Sequence, residues 1–366
     1  MQYFSEIGDF IQRAWAKTNR DEEAFPDIAQ QALAESPPPH DLPEAVINDL
    51  LTGDRDQTRQ FAPTGTFGEP GVTQYHDDEF VIDVYFWNNA IPAIHNHPFC
   101  GCFTILRGRS LHDVYRFEHR ENLGSTVQVG KLSAERLSWL AAGDVVPFSL
   151  SRYPLIHSLV HVTNPAISMV IRTTRTIEYY RYFPPYLAIS MDALNDRHAR
   201  QIKMFRWLKS AGDPSFIRRL HQYLSTVNFE TSIRTLSALF DPQINDELIN
   251  VIRKRHGKHA DLILPAIGES INLQTQNNYR QQFSSDETRT VLSVLMCAKD
   301  RTTVLRLLDE AFPDDGALSV LERLEVLANE DAETRQSFAR LVDGTAHDDV
   351  WQESIFRALT LEESAM

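Results

Sequence analysis

Between residues 80 and 173 the chain is a series of short runs rich in valine, isoleucine and aromatic side chains, and these runs constrain the fold more than any other feature of the sequence. They cover residues 80–87, 102–106, 111–117, 125–129, 135–140, 145–150, 157–162 and 166–173, with turn signals at Arg107-Gly108, Gly143-Asp144, Pro154 and Asn164-Pro165. Runs of this length recurring every ~10 residues are too short for helices and too many for one open sheet, whose unpaired edges would invite aggregation. A sandwich or a closed barrel satisfies them.

The flanks have a different texture. Phe4, Ile7, Phe10, Ile11 and Trp15 recur at helical spacing, residues 27–34 continue it after Pro26, and residues 42–51 form a third short helix with Asp41 placed to cap it. Pro63, Gly65, Gly68, Pro70 and Gly71 mark a loop before the strands begin. After Tyr186 apolar positions return at spacings of three and four, predicting helices over 192–211, 213–225, 230–240, 246–256, 286–298, 303–312, 318–328 and 333–342. No fixed-period repeat joins them. The chain of 366 residues exceeds what one core comfortably holds, and divides into an N-terminal helical segment (1–60), a β-barrel (61–186) and a large all-α C-terminal domain (187–366).

Charge narrows the partners. With 50 acidic against 36 basic residues the formal charge is −14, which opposes binding to nucleic acid or an anionic membrane surface. The Arg253-Lys254-Arg255 run therefore reads as a solvated helix face. A small molecule or a protein remains as partner, and the helical C-terminal domain is the expected surface for a homodimer or a carrier protein. The opening MQYFSEIGDFIQRAW carries neither a basic leader nor an apolar span, so a cytoplasmic location is expected. Three cysteines cannot form a disulfide framework.

Chemistry concentrates in FWNNAIPAIHNHPFCGCFTILRG, residues 86–108. Alternate residues of a strand share a face roughly 6.6 Å apart, so His95 and His97 can converge on one ion. A third ligand comes from His157 or His161. These lie about 13 Å apart along a strand, too far for both to serve one ion with His95 and His97. Cys100 and Cys102 offer a rival, a local zinc site with the two histidines. By the same parity Asp83, Tyr85 and Trp87 share one strand face, and Ser168, Val170 and Arg172 another. If both faces turn inward, they add a carboxylate, a phenol, an indole and a guanidinium to one pocket. An outward Asp83 or Arg172 is the competing expectation.

Two stretches carry a family resemblance. His95-Asn96-His97, Cys102 and Gly108 resemble the first motif of the cupin superfamily, in which HxH precedes a carboxylate ligand and a glycine. Gly143-Asp144-Val145-Val146, His157 and Asn164-Pro165 resemble the second, which supplies the third metal histidine. The resemblance implies a double-stranded β-helix, or jelly roll, with His95, His97 and His157 as ligands and His161 in the pocket wall or bonded to a ligand. Cys102 stands where most cupins have a carboxylate, and in this the chain is similar to the cysteine dioxygenases and other thiol dioxygenases. That likeness implies Fe(II), with zinc or another divalent ion as the alternative, and an O₂-dependent oxidation of a small polar substrate, thiol or amino-acid-like. Arg172, Tyr85 and Asp83 would orient or deprotonate it, and Trp87, Cys102, Ser168 and His161 would wall the pocket. Val170 and Arg172 occupy the positions of the histidine and tyrosine that complete the cysteine dioxygenase site, so neither that relay nor its crosslink is expected. A metal-binding sensor or scaffold without catalysis is the alternative.

Overall fold

A computed structural model describes residues 2–52, 60–61, 68–88, 93–175, 179–191, 196–239, 246–283 and 285–327. The predicted helix at 333–342 and most of the loop before the strands lie outside these. Three helices come first, α1 (Gln2–Ala16), α2 (Phe25–Glu35) and α3 (Leu42–Thr52). α1 buries the predicted stripe Phe4, Ile7, Ile11 and Trp15, and the chain then reverses through Asn19 and Arg20, both with positive φ.

Among the described residues eleven strands follow: β1 (Gly71–His76), β2 (Phe80–Trp87), β3 (Ile94–Asn96), β4 (Gly101–Arg107), β5 (Ser110–Asn122), β6 (Val127–Leu140), β7 (Val145–Phe148), β8 (Ile156–His161), β9 (Ala166–Thr173), β10 (Tyr180–Phe183) and β11 (Leu187–Ser190). One sheet has the order β1-β2-β9-β4-β7. The others close on themselves as an antiparallel barrel, β10-β11-β6-β5-β8-β3. The fold is thus mixed α and β with a closed six-stranded barrel at its centre. The β-region runs to Ser190, past the expected boundary at 186, because β11 pairs with β6. The runs at 125–129 and 135–140 are one strand, β6, since β5, one residue shorter, pairs with it almost throughout. Strands β1, β10 and β11 went unpredicted, being short and without clear alternation, and the strand expected around His95 and His97 is the short β3, which ends at Asn96.

Each sheet face has its own partner. Phe80, Ile82, Val84, Cys100, Cys102, Ile167, Met169 and Ile171 turn outward and bury against α1, α2 and α3. Phe80 packs in this layer against the edges of Trp15 and Phe25, at centroid distances of 6.4 and 5.5 Å, and truncating such a ring costs about 3–5 kcal/mol. Across the molecule, the helices α4 (Asp196–Ser210), α5 (Phe216–Leu224), α6 (Phe229–Leu239), α7 (Asp246–His256) and α8 (Ala260–Gln282) bury Val127, Val129, Leu187 and Ile189 of β6 and β11. Leu111, Val160 and Val162 pack with α9 (Asp286–Cys297), α10 (Arg301–Ala311) and α11 (Ala317–Leu327). α8 was not predicted; Pro265, Gly268 and the polar run through Gln274, Gln276, Asn277 and Asn278 mask its period. No described helix is long and apolar enough to cross a membrane.

Candidate metal centre

The register of the barrel assembles the site. β3 runs antiparallel to β8 with His95 directly opposite His157, and β8 runs antiparallel to β5, which brings His112 alongside. His97 follows two residues after His95, where the chain leaves β3 and turns through Pro98 toward β4. Gly101 fits this turn for a physical reason: a Cβ there would meet the carbonyl oxygen of Ile171 at 2.0 Å. Its absence lets β4 approach β9 directly opposite Arg172.

One ring nitrogen from each of His95, His97 and His157 lies within 4.8 Å of the others. His97 Nε2 is 2.9 Å from His157 Nε2. Nitrogens so placed fit a shared ion, because ligands held ~2.0–2.2 Å from one metal sit about 3 Å from each other. The remaining nitrogens fix the tautomers. His95 Nδ1 lies 2.9 Å from the Ala93 carbonyl and donates to it, which puts the lone pair on Nε2. His157 Nδ1 lies 2.9 Å from His112 Nε2; when His157 Nδ1 is the donor of this bond, its Nε2 keeps the lone pair that a ligand needs. His97 Nδ1 is buried without a hydrogen-bond partner.

All three ligands are held neutral. Burial is the main cause for each, keeping His97 and His157 well below the ordinary imidazole range, and the neighbouring histidines add to it. For His95, burial and Arg181 outweigh the opposing bond to Ala93. His112 is lowered to about 4 by burial and by Arg136. Neutral imidazole is the form that binds metal. Around them the wall is aromatic: Phe148 stacks on His97 at 4.1 Å, and Phe103 lies 5.5 Å from His157. Among the described residues no carboxylate or thiolate joins the cluster.

The other predicted residues divide. Asp83, Tyr85 and Arg172 are all buried and in contact, so the outward alternative for Asp83 and Arg172 is excluded. Asp83 accepts from Thr73 Oγ1 (2.7 Å), Tyr85 Oη (3.2 Å) and Arg172 Nη2 (3.1 Å). The Arg172 guanidinium also stands 4.8 Å over the ring of Phe99, which in turn neighbours His97. Trp87 donates to Ser168 Oγ at 2.8 Å and stacks on His161 at 4.4 Å. His161 is bonded through Nδ1 to Ser110 and is not part of the triad, which selects His157 between the two. Cys102 is a correction. It faces α1, α2 and α3 with Cys100, on the opposite side of its sheet from the histidines, and burial raises its pKa. Strand alternation makes this unavoidable once Phe103 points inward, and it removes the local two-cysteine zinc site.

Sequence reasoning missed His112, Tyr179 and Arg181. His112 was visible only as one of several polar residues, with Asp113 and Arg116, inside the run at 111–117. Arg181 pairs opposite His95 across β10 and β3, and Tyr179 stands edge-on to His95 at 6.1 Å; both lie by the unpredicted β10 and gave no signal.

Comparison with protein-family models and with curated proteins finds no match to this chain. What stands on its own geometry is a mixed α and β protein whose barrel encloses three histidines able to hold a metal ion.

Proposed function

We propose that the chain is a mononuclear non-haem Fe(II) oxygenase on a cupin scaffold, related in design to the thiol dioxygenases and acting with O₂ on a small polar substrate. One observation carries the reading: three neutral imidazoles converge from β3, its following turn and β8, with a fourth histidine orienting one of them. A facial three-histidine set leaves coordination positions open, and bound Fe(II) would supply redox chemistry toward O₂ there. Three neutral ligands also leave the charge of a divalent ion uncompensated, which favours an anionic substrate group.

The chain's own residues have definable tasks. His112 and the Ala93 carbonyl hold the imidazoles in the ligating tautomer. Phe99, Phe103 and Phe148 exclude bulk water. Arg181 lowers the His95 pKa by its charge and offers that charge to an acidic substrate group beside the triad. Arg172 reinforces this positive potential from behind Phe99, with Asp83 and Tyr85 fixing its orientation.

Metal analysis of the purified full-length protein tests the reading. The expected result is about one iron per chain, retained in Cys102→Ala and lost in His157→Ala, with O₂ uptake when thiols or amino acids are supplied. Stoichiometric zinc with no O₂ uptake would favour a metal-binding sensor or scaffold. Metal retained in His157→Ala but lost in Cys102→Ala would overturn the three-histidine site.

A further inference from the structure

Away from the triad, a partly open pocket with about 20 Å³ of enclosed space lies where the barrel meets the C-terminal helices. Trp87, His161, Val162, Thr163 and Asn164 line it from the barrel, and Arg280, Gln281 and Arg289 from the helical side. Four of these residues carry a buried nitrogen with no hydrogen-bond partner: His161 Nε2, Arg280 Nε, Gln281 Nε2 and Arg289 Nε. Orphaned buried donors are rare, because each costs about 1–3 kcal/mol, and four on the wall of one cavity point to a shared acceptor.

The charges agree. Arg280 is 4% exposed, and its partners are neutral: the His161 carbonyl (2.8 Å), Ser293 Oγ (3.1 Å) and Asn277 Oδ1 (2.9 Å). Arg289 gives Nη2 to Asp286 but leaves Nε unpaired. Burial, with some repulsion from Arg289, lowers Arg280 to about 10. Two guanidiniums close enough to repel, of which Arg289 is paired with the exposed Asp286 carboxylate, leave an excess positive charge. When Ser110 Oγ donates to His161 Nδ1, the remaining imidazole proton sits on Nε2 and makes His161 a fourth donor. A single water could accept only two of these bonds, whereas an oxyanion has lone pairs for all four.

We infer that this cavity is a binding site for a small oxyanion, a phosphate-like ion or a carboxylate, held jointly by the barrel and the helical region. None of the three triad histidines lines it. Its occupant would be gripped from both sides, since Arg280 already donates to the backbone of β8, the strand that carries His157.

Trp87 lines the cavity and is the reporter. Full-length protein is titrated with sodium phosphate and, separately, sodium acetate, at ionic strength held constant with a bulky anion, following tryptophan fluorescence and thermal melting. A saturable fluorescence change with a rise in melting temperature is expected for at least one anion, and the tighter of the two identifies the source. Trp87→Phe should abolish the fluorescence change. Arg289→Gln should weaken binding about tenfold or more, as loss of a charged donor does. Gln281→Leu removes only an unpartnered donor, so it tests the site even if the arginine variant folds poorly, and a severalfold loss is expected. No saturable response to either anion would mean that water fills the cavity. Binding unchanged in both Arg289→Gln and Gln281→Leu would place the anion elsewhere. Either result overturns the assignment.

Discussion

The two sheets each carry a buried polar cluster, and the clusters are built on opposite plans. Around Asp83 every partner is present: one carboxylate accepts from a threonine, a tyrosine and an arginine. Around His157 nitrogen faces nitrogen on both sides of the ring, and the outer nitrogens of His97 and His112 have no acceptor. A buried polar group that is fully bonded serves the fold. One that is buried and mutually ill-matched is arranged for something else. This difference, more than depth or charge, marks the histidines as the candidate binding centre and the Asp83 group as part of the fold's support.

Breaking the closed cluster should give the largest stability effect. Asp83→Ala strands the Arg172 charge in the interior, and unfolding in urea is expected to show a loss of about 3–5 kcal/mol, with metal content per folded chain unchanged. Metal lost from a fully folded Asp83→Ala protein would mean that the two clusters are one site.

Asp113 sits between the two plans. Tyr115 donates to it, yet its other oxygen is buried without a partner, and burial raises its pKa to about 6. The raised value means the folded state prefers the neutral acid. The penalty is therefore absent below the unfolded value near 4, accumulates as pH rises to about 6, and then levels off at roughly 3 kcal/mol or less. Asp113→Asn should flatten that part of the stability profile; an unchanged slope would assign it to other groups.

His112→Leu removes the partner of a ligand without removing a ligand. Metal affinity measured by chelator competition is expected to fall about 10–100-fold while the fold persists. The smallest effect belongs to Ser168→Ala, which deprives the Trp87 indole of its acceptor. A loss of ~1 kcal/mol in melting experiments, with metal affinity intact, would keep that pair on the structural side of the comparison.

Much of this was legible beforehand, because it depends on local periodicity. The strand at Phe80–Trp87, the helix at Asp246–His256, the pairing of His95 with His97 and the shared faces of Asp83 with Tyr85 and of Ser168 with Arg172 follow from alternation or spacing, whereas His157 is chosen over His161 only by the family resemblance, and periodicity leaves the inward turn of both faces open. Cys102 was misread although the same rule applied to it: Phe103 faces His112 and His157, so its neighbour must face the helices. What could not be read depends on pairing between distant segments. Arg181 reaches His95 only because β10, a four-residue strand with no pattern of its own, closes the ring against β3. The cavity between Trp87 and Arg289 needs helices whose docking no local signal encodes.

The ring closure described above also sets an order of events. β5 and β6 are neighbours in sequence and can zip from their own turn, whereas His97 and His157 are 60 residues apart, and Asp83 and Arg172 are 89 apart. Contacts that close long loops form late, because their entropy must be lost before they gain anything. The three imidazoles therefore meet only when the chain is nearly folded, along the seam where β3 is stitched to β8. An ion held there would act as a clasp on the last join, and its removal would loosen that seam first.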